Sequence, residues 1–329
     1  MERLRFGIIG VGARGICNAR AVAARPDIEL VGVCDIRPER LEECARQGIT
    51  APGFTHYPDL LAEGLDAVCI NTDNNVHAEI TLAAARQGCH VYCEKPIALS
   101  VADAEAMTQA CREAGVATVV NLSMRLMPQH RKLREMVQQG VFGRLLAVGA
   151  THPKISGLLC QGKGHKATLD PATWGSLILH DGVHICEWLR FMGGEVKSVY
   201  ARTVTTGEDP WNEELISAVT THEGGVMGSL GYFTVPFLPQ RQYVVGTEAS
   251  GWPAQDENGP CIVIARGKEE ERVPVEKPAL TGDAAAVDEF VRAIREGHRP
   301  YATMEDGLAG QRIVDAIRRS AREEAVITL

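Results

Sequence analysis

The residues best suited to chemistry begin near the N-terminus, where Gly10-Val11-Gly12-Ala13-Arg14-Gly15 follows the apolar run Phe6-Gly7-Ile8-Ile9. A G-x-G-x-x-G between a strand and a helix gives a tight turn at its first glycine and close backbone approach to a pyrophosphate at its second. The third lets helix and strand pack closely. The spacing therefore predicts a bound dinucleotide, its phosphates held on the unpaired amides and positive dipole end of a helix over 13–24. A second buried strand, Ile28 to Cys34, ends on Asp35, where a carboxylate accepts from the adenosine ribose hydroxyls. That carboxylate repels a 2′-phosphate, so NAD is expected over NADP. Arg37 pulls both ways, since it can stack on adenine or pair with a 2′-phosphate.

Lys95 follows the strand 89–93 and precedes Pro96, which cannot continue a ladder. Ligands of open parallel sheets lie at the carboxyl ends of strands, so Lys95 is expected in the cofactor crevice. There it can hold a substrate oxygen and stabilise charge that develops on it; a surface pair with Glu94 is the bland alternative. His184 has the near-neutral pKa that a general base for a hydroxyl proton needs. It closes the run His180-Asp181-Gly182-Val183-His184. On a regular helix His180 and His184 share a face, with Asp181 about 100° from His180. Either His180 takes part in a proton relay, or Asp181 sits in an unwound first turn and orients a histidine. The run also mimics the zinc spacing H-E-x-x-H, but a mid-helix glycine, a short acid and the want of a third ligand leave no metal expected. Polar groups from Asn71 to His77 can contact the cofactor or simply cap a helix. Asn121 and Arg125 are similarly placed. Lys154, Lys163, His165, Lys166 and Trp174 lie in or beside a long polar segment over 153–171 and are either pocket-lining or solvated.

These residues need a scaffold, and 329 residues favour two domains, here 1–122 and 123–329. Through the first 120 or so residues strand and helix signals alternate. One helix over 101–114 is expected to be capped by Ser100 and stopped by Gly115. The expected fold is α/β: a doubly wound parallel Rossmann sheet followed by an α+β domain with a large, mostly antiparallel open sheet. Strands are expected over 145–151, 196–206, 215–221, 226–233 and 242–246. Helices are expected over 129–139, 180–191, 283–296 and 305–323. A broad sheet leaves a face to cover, so a homodimer or homotetramer through the C-terminal sheet is expected. The net charge of −8 argues against nucleic acid and anionic membranes as partners. No stretch approaches the roughly 20 apolar residues of a membrane span. Ten cysteines without C-x-x-C spacing suit a reducing cytoplasm.

Taken in order, several motifs resemble those of the Gfo/Idh/MocA family of oxidoreductases: the glycine turn, Asn71-Thr72-Asp73-Asn74-Asn75-Val76-His77, Glu94-Lys95-Pro96, Arg125-Leu126-Met127-Pro128, His180-Asp181-Gly182-Val183-His184 and Thr303-Met304-Glu305-Asp306. The resemblance implies a dehydrogenase for a secondary alcohol of a sugar, sugar derivative or cyclitol. It implies Lys95 and His184 as catalytic groups and Thr72, Asn74 and His77 near the cofactor. The family usually carries aspartate where this chain has His180. Two other classes share the machinery: an NAD-dependent hydrolase or lyase using transient oxidation and elimination, and a noncatalytic nucleotide sensor.

Overall fold

A computed structural model describes residues 2–153, 170–204, 213, 215–233 and 241–329. Along the chain run β1 (Leu4–Ile9), α1 (Ala13–Ala23), β2 (Ile28–Cys34), α2 (Pro38–Arg46), β3 (Gly53–Phe54), α3 (Tyr57–Leu61), β4 (Ala67–Ile70), α4 (His77–Arg86), β5 (His90–Cys93), α5 (Val101–Ala114) and β6 (Thr118–Val120). There follow α6 (Pro128–Gln138), β7 (Leu145–Pro153), α7 (Pro171–Trp174), α8 (Val183–Gly193), β8 (Val196–Val204), β9 (Leu215–His222), β10 (Met227–Phe233) and β11 (Arg241–Gly246). The chain closes with β12 (Ser250–Asp256), β13 (Gly259–Arg266), β14 (Glu269–Pro274), α9 (Gly282–Glu296), α10 (Met304–Glu323) and β15 (Ile327–Thr328).

Two compact units emerge, Met1–Leu122 with Leu280–Leu308, and Ser123–Ala279 with Ala309–Leu329. The first holds a six-stranded sheet in the order β3-β2-β1-β4-β5-β6, all parallel. Its central strands are apolar throughout because helices cover both faces; every residue of β4 is buried. Ser100 accepts from the Asp103 amide at the start of α5, and Gly115 ends that helix at φ 65°. Residues 280–308 lie late in the sequence and group with the first unit. Phe290 of α9 packs edge-on against Phe6 at 5.8 Å and tilted against Tyr92 at 6.0 Å, so this segment completes the first core.

The second unit is built on a nine-stranded sheet, β14-β13-β12-β11-β7-β10-β9-β8-β15, antiparallel except where β7 pairs with β10. Its strands alternate in burial because one face alone is covered; in β9, Ile216, Ala218, Thr220 and His222 face inward. Strands β12 to β14 escape the sequence reading. Gly251 and Pro253 interrupt β12, and Glu269-Glu270-Glu271-Arg272 makes β14 an exposed edge whose charges discourage further pairing. No helix among the described residues is long and apolar enough to cross a membrane.

Candidate active-site residues

In the first unit the glycine turn joins β1 to α1, and each glycine has its own steric reason. Gly10 has φ 85°, and a Cβ there would meet the Asn71 carbonyl at 2.6 Å. At Gly15 a Cβ would fall 1.8 Å from the Gly10 oxygen. A Cβ on Gly12, by contrast, would meet nothing within 4 Å. No side chain caps the start of α1. At the end of β2, Asp35 is buried, its Oδ2 accepting from the Val11 amide at 3.1 Å and its Oδ1 from the Arg37 amide at 3.0 Å. Arg37 Nε lies 3.4 Å from the same Oδ1, so the arginine of ambiguous purpose rests on the carboxylate.

The other predicted residues of this unit gather at the same carboxyl edge of the sheet. Asn71 closes over the turn, accepting from Asn18 Nδ2 and donating to the Cys69 carbonyl. Glu94 is buried and accepts from Asn121 Nδ2 at 2.7 Å, which ties the ends of β5 and β6 together. Arg14 pairs with Asp283 and lies 3.6 Å from Glu94. Asn74 is buried, and Thr72 and Lys95 are half-buried. His77 is fully buried, with both ring nitrogens on backbone carbonyls, an arrangement taken up below.

The second unit carries Arg125, Trp174, His180, Asp181 and His184. Residues 178–182 form a π-helical turn ahead of α8, which corrects the expectation of a regular helix from His180. Its i→i+5 pattern widens the turn, so the 100° spacing does not apply. Gly182 permits this packing, since a Cβ there would meet Ile178 Cγ1 at 2.7 Å. Trp174 stands edge-on to His180 at 5.4 Å. Lys154, Lys163, His165 and Lys166 lie outside the described residues.

Sequence reading missed Tyr232 altogether. It faces the covered side of β10, stacked on His152 of β7 with rings 6.2 Å apart and 12° from parallel. It is fully buried, and its phenol oxygen has no hydrogen-bond partner among the described residues. Burial, then the charges of Asp181 and Glu213, push its pKa well above the usual tyrosine value. The phenol stays protonated and is a hydrogen-bond donor in waiting.

Arg125 is held within the second unit. Buried to 7% exposure, it donates through Nε at 2.7 Å and through Nη2 to the two oxygens of Glu187, and its guanidinium lies 4.8 Å from the Phe191 ring centroid. This puts the Arg125 guanidinium on a buried carboxylate. Glu187 also accepts from Arg190 Nη1 at 2.8 Å, which pins α8 three residues beyond His184. The signal was present: one acid inside the apolar run Ile185-Cys186-Glu187-Trp188-Leu189 needs a buried cation. Removing one partner of a buried pair leaves the other charge desolvated, so Glu187→Ala is expected to cost about 3–5 kcal/mol in urea unfolding.

The model for the oxidoreductase family with an NAD-binding Rossmann fold matches residues 4–122, and that for the GFO/IDH/MocA C-terminal domain matches 130–251. The chain is 31% identical over 319 residues to the 1,5-anhydro-D-fructose reductase of Ensifer adhaerens, covering 92% of each. The chain belongs to the Gfo/Idh/MocA family of oxidoreductases. The chain is also similar to the myo-inositol 2-dehydrogenase of Thermotoga maritima, 27% identical over 60% of this chain and 58% of the relative. Among solved structures, the aldose-aldose oxidoreductase of Caulobacter crescentus complexed with glycerol is 25% identical, with a TM-score of 0.86 over all of both chains.

As a Gfo/Idh/MocA oxidoreductase the chain works with a nicotinamide dinucleotide, and the first unit fits that group. Gly12 leaves open space beside uncapped helix amides, where a pyrophosphate can approach. Asp35 is held by backbone amides, and its remaining lone pairs suit ribose hydroxyls. Among the described residues no group of three or more His, Cys, Asp or Glu is arranged to hold a metal.

Proposed function

We propose that this protein is an NAD-dependent dehydrogenase for a secondary alcohol of a sugar, sugar derivative or cyclitol. The observation that carries the reading is Lys95 two residues beyond the end of β5, at the sheet edge that also bears the glycine turn and Asp35. The names of the Ensifer and Thermotoga relatives support the substrate class. When bound, NAD supplies the hydride acceptor. Lys95 holds the reacting oxygen and stabilises negative charge on it. His184 takes the hydroxyl proton, with Asp181 or His180 orienting it. Trp174 offers a flat apolar wall to a ring. Asp35 favours NAD over NADP. Lys154 and His165 remain proposed substrate contacts.

Incubating the purified protein with NAD and a panel of aldoses, anhydrosugars and cyclitols tests this reading. NADH formation with at least one polyol is expected. If no polyol yields NADH and no corresponding ketose consumes it, the reading fails.

Tyr232→Phe separates binding from stability. Removing a buried hydroxyl that lacks a partner is expected to stabilise the free protein by about 1 kcal/mol. The same change is expected to leave KM for the polyol within about threefold, under 1 kcal/mol, because the phenol oxygen is closed off from the surface. Substrate titration and thermal melting read the two effects.

A homodimer or homotetramer through the open face of the larger sheet completes the proposal. Tyr200, Val219 and Tyr243 stand on the exposed side of neighbouring strands, and Met227 is 56% exposed. A band of large apolar groups on an uncovered face favours self-association. Sedimentation at the mass of a monomer would remove this part. The cytoplasm is the proposed location; buried thiols such as Cys69 and Cys186, which burial keeps protonated, suit a reducing compartment.

A further inference from the structure

We infer that His77 is a positioning residue for Lys95, a buried clamp between the loops that follow β4 and β5, rather than a ligand of the cofactor. The inference rests on the role proposed above for Lys95. His77 opens α4 with no exposed surface. Its Nδ1 lies 2.9 Å from the Pro96 carbonyl oxygen and its Nε2 3.2 Å from the Thr72 carbonyl oxygen. Both polar edges of the ring are therefore spent on backbone, one on each loop.

The Pro96 contact matters because of what the chain lacks there. Glu94 is fastened by its amide to the Ile70 carbonyl at 2.9 Å. Two residues later Pro96 has no N–H, so its carbonyl is the main-chain handle left at that position. His77 takes that handle. Lys95 lies between the Glu94 tether and the Pro96 tether, and the direction of its side chain depends on both.

Protonation strengthens the clamp without creating it. A neutral imidazole donates one hydrogen bond, and the shorter contact puts that proton on Nδ1, toward Pro96. Burial holds the His77 pKa below its ordinary value, while the Pro96 and Thr72 carbonyls and the charges of Glu94 and Asp73 oppose that shift. The Nδ1 bond is made in either state.

The test compares His77→Leu, which removes both ring contacts from a similar volume, with His77→Gln, whose carboxamide N–H can reach a carbonyl. Positional error of about 1 Å at a catalytic group costs on the order of 100-fold in rate. His77→Leu is expected to lower kcat by about that factor. NADH affinity, read by nicotinamide fluorescence, should stay within about threefold, a shift under 1 kcal/mol. His77→Gln should recover most of the loss. Full kcat in folded His77→Leu overturns the clamp. So does a loss of NADH affinity in step with kcat, or a folded His77→Gln no better than His77→Leu.

Acylation of Lys95 by acetic anhydride, followed by mass spectrometry, reads the clamp without any substrate. The rate should change several-fold in His77→Leu and lie near wild type in His77→Gln; equal rates in all three contradict it. Should His77→Leu not fold, His77→Ala with and without added imidazole replaces it. Restoration of the wild-type acylation rate by imidazole supports the clamp, and indifference to imidazole refutes it. Failure of the wild-type protein to oxidise any polyol strikes the dehydrogenase reading, and the acylation rates still decide the clamp.

Discussion

Lys95→Ala is expected to lower kcat by about 10²- to 10³-fold, equivalent to roughly 3–4 kcal/mol of lost transition-state stabilisation. The reacting oxygen carries negative charge once its proton has left for His184 and until the departing hydride has turned it into a carbonyl. An ammonium held beside it is worth more in the transition state than in the ground state, which is the difference that accelerates a reaction. The loss should therefore fall on kcat more than on KM. NADH binding should survive within about threefold, because under 1 kcal/mol of it rests on this side chain. Lys95→Arg should not rescue, since a planar fork cannot replace a compact ammonium at a fixed point. Steady-state kinetics on the best polyol of the panel, with fluorescence titration of NADH, checks both halves. Full turnover in Lys95→Ala would remove the lysine from the chemistry.

Gly12→Ala separates cofactor binding from folding more sharply than any other change in the chain. Gly12 adopts φ −66° and ψ −168°, an extended conformation open to alanine. Its added methyl would meet no atom within 4 Å in the free protein. The melting temperature should stay within about 2 °C of wild type, as for a surface substitution. The open space is where the pyrophosphate must approach, so NAD affinity should fall at least about tenfold. Gly15→Ala gives the opposite pattern. Its methyl would lie 1.8 Å from the Gly10 oxygen, so turn and helix must part. A destabilisation of about 1–3 kcal/mol is expected from that overpacking. A folded Gly12→Ala that binds NAD as tightly as wild type would move the dinucleotide away from this turn.

Much of the first unit was legible because its signals are local. The glycine turn answers to contacts within a few residues and one neighbouring strand, and Ser100 and Gly115 bound α5 by cap chemistry alone. Asp35 could be placed because it ends an apolar strand. The less legible features depend on which distant segments meet. His152 and Tyr232 come together through the parallel register of β7 and β10, eighty positions apart in sequence, and no periodicity encodes that pairing. The Arg125–Glu187 pair likewise joins segments 62 residues apart. The helix over 283–296 was legible, yet which sheet receives Phe290 is a tertiary choice. The π-helical turn at 178–182 misled the wheel because an amphipathic stripe does not report a shift of one residue in the hydrogen-bond pattern. His77 was picked out by its motif, but spacing shows only that a histidine is near a strand end and not that its nitrogens touch the Pro96 and Thr72 carbonyls.

The central claim is that a polyol carbon gives its hydride directly to a dinucleotide held on the Gly12 turn. The most direct measurement uses the best polyol of the panel carrying deuterium at the reacting carbon, with NAD and purified protein, and mass spectrometry of the recovered nicotinamide. Deuterium on the nicotinamide C4 is expected, with turnover slowed by the heavier isotope when hydride transfer limits the rate. Reduced cofactor without deuterium would contradict the account.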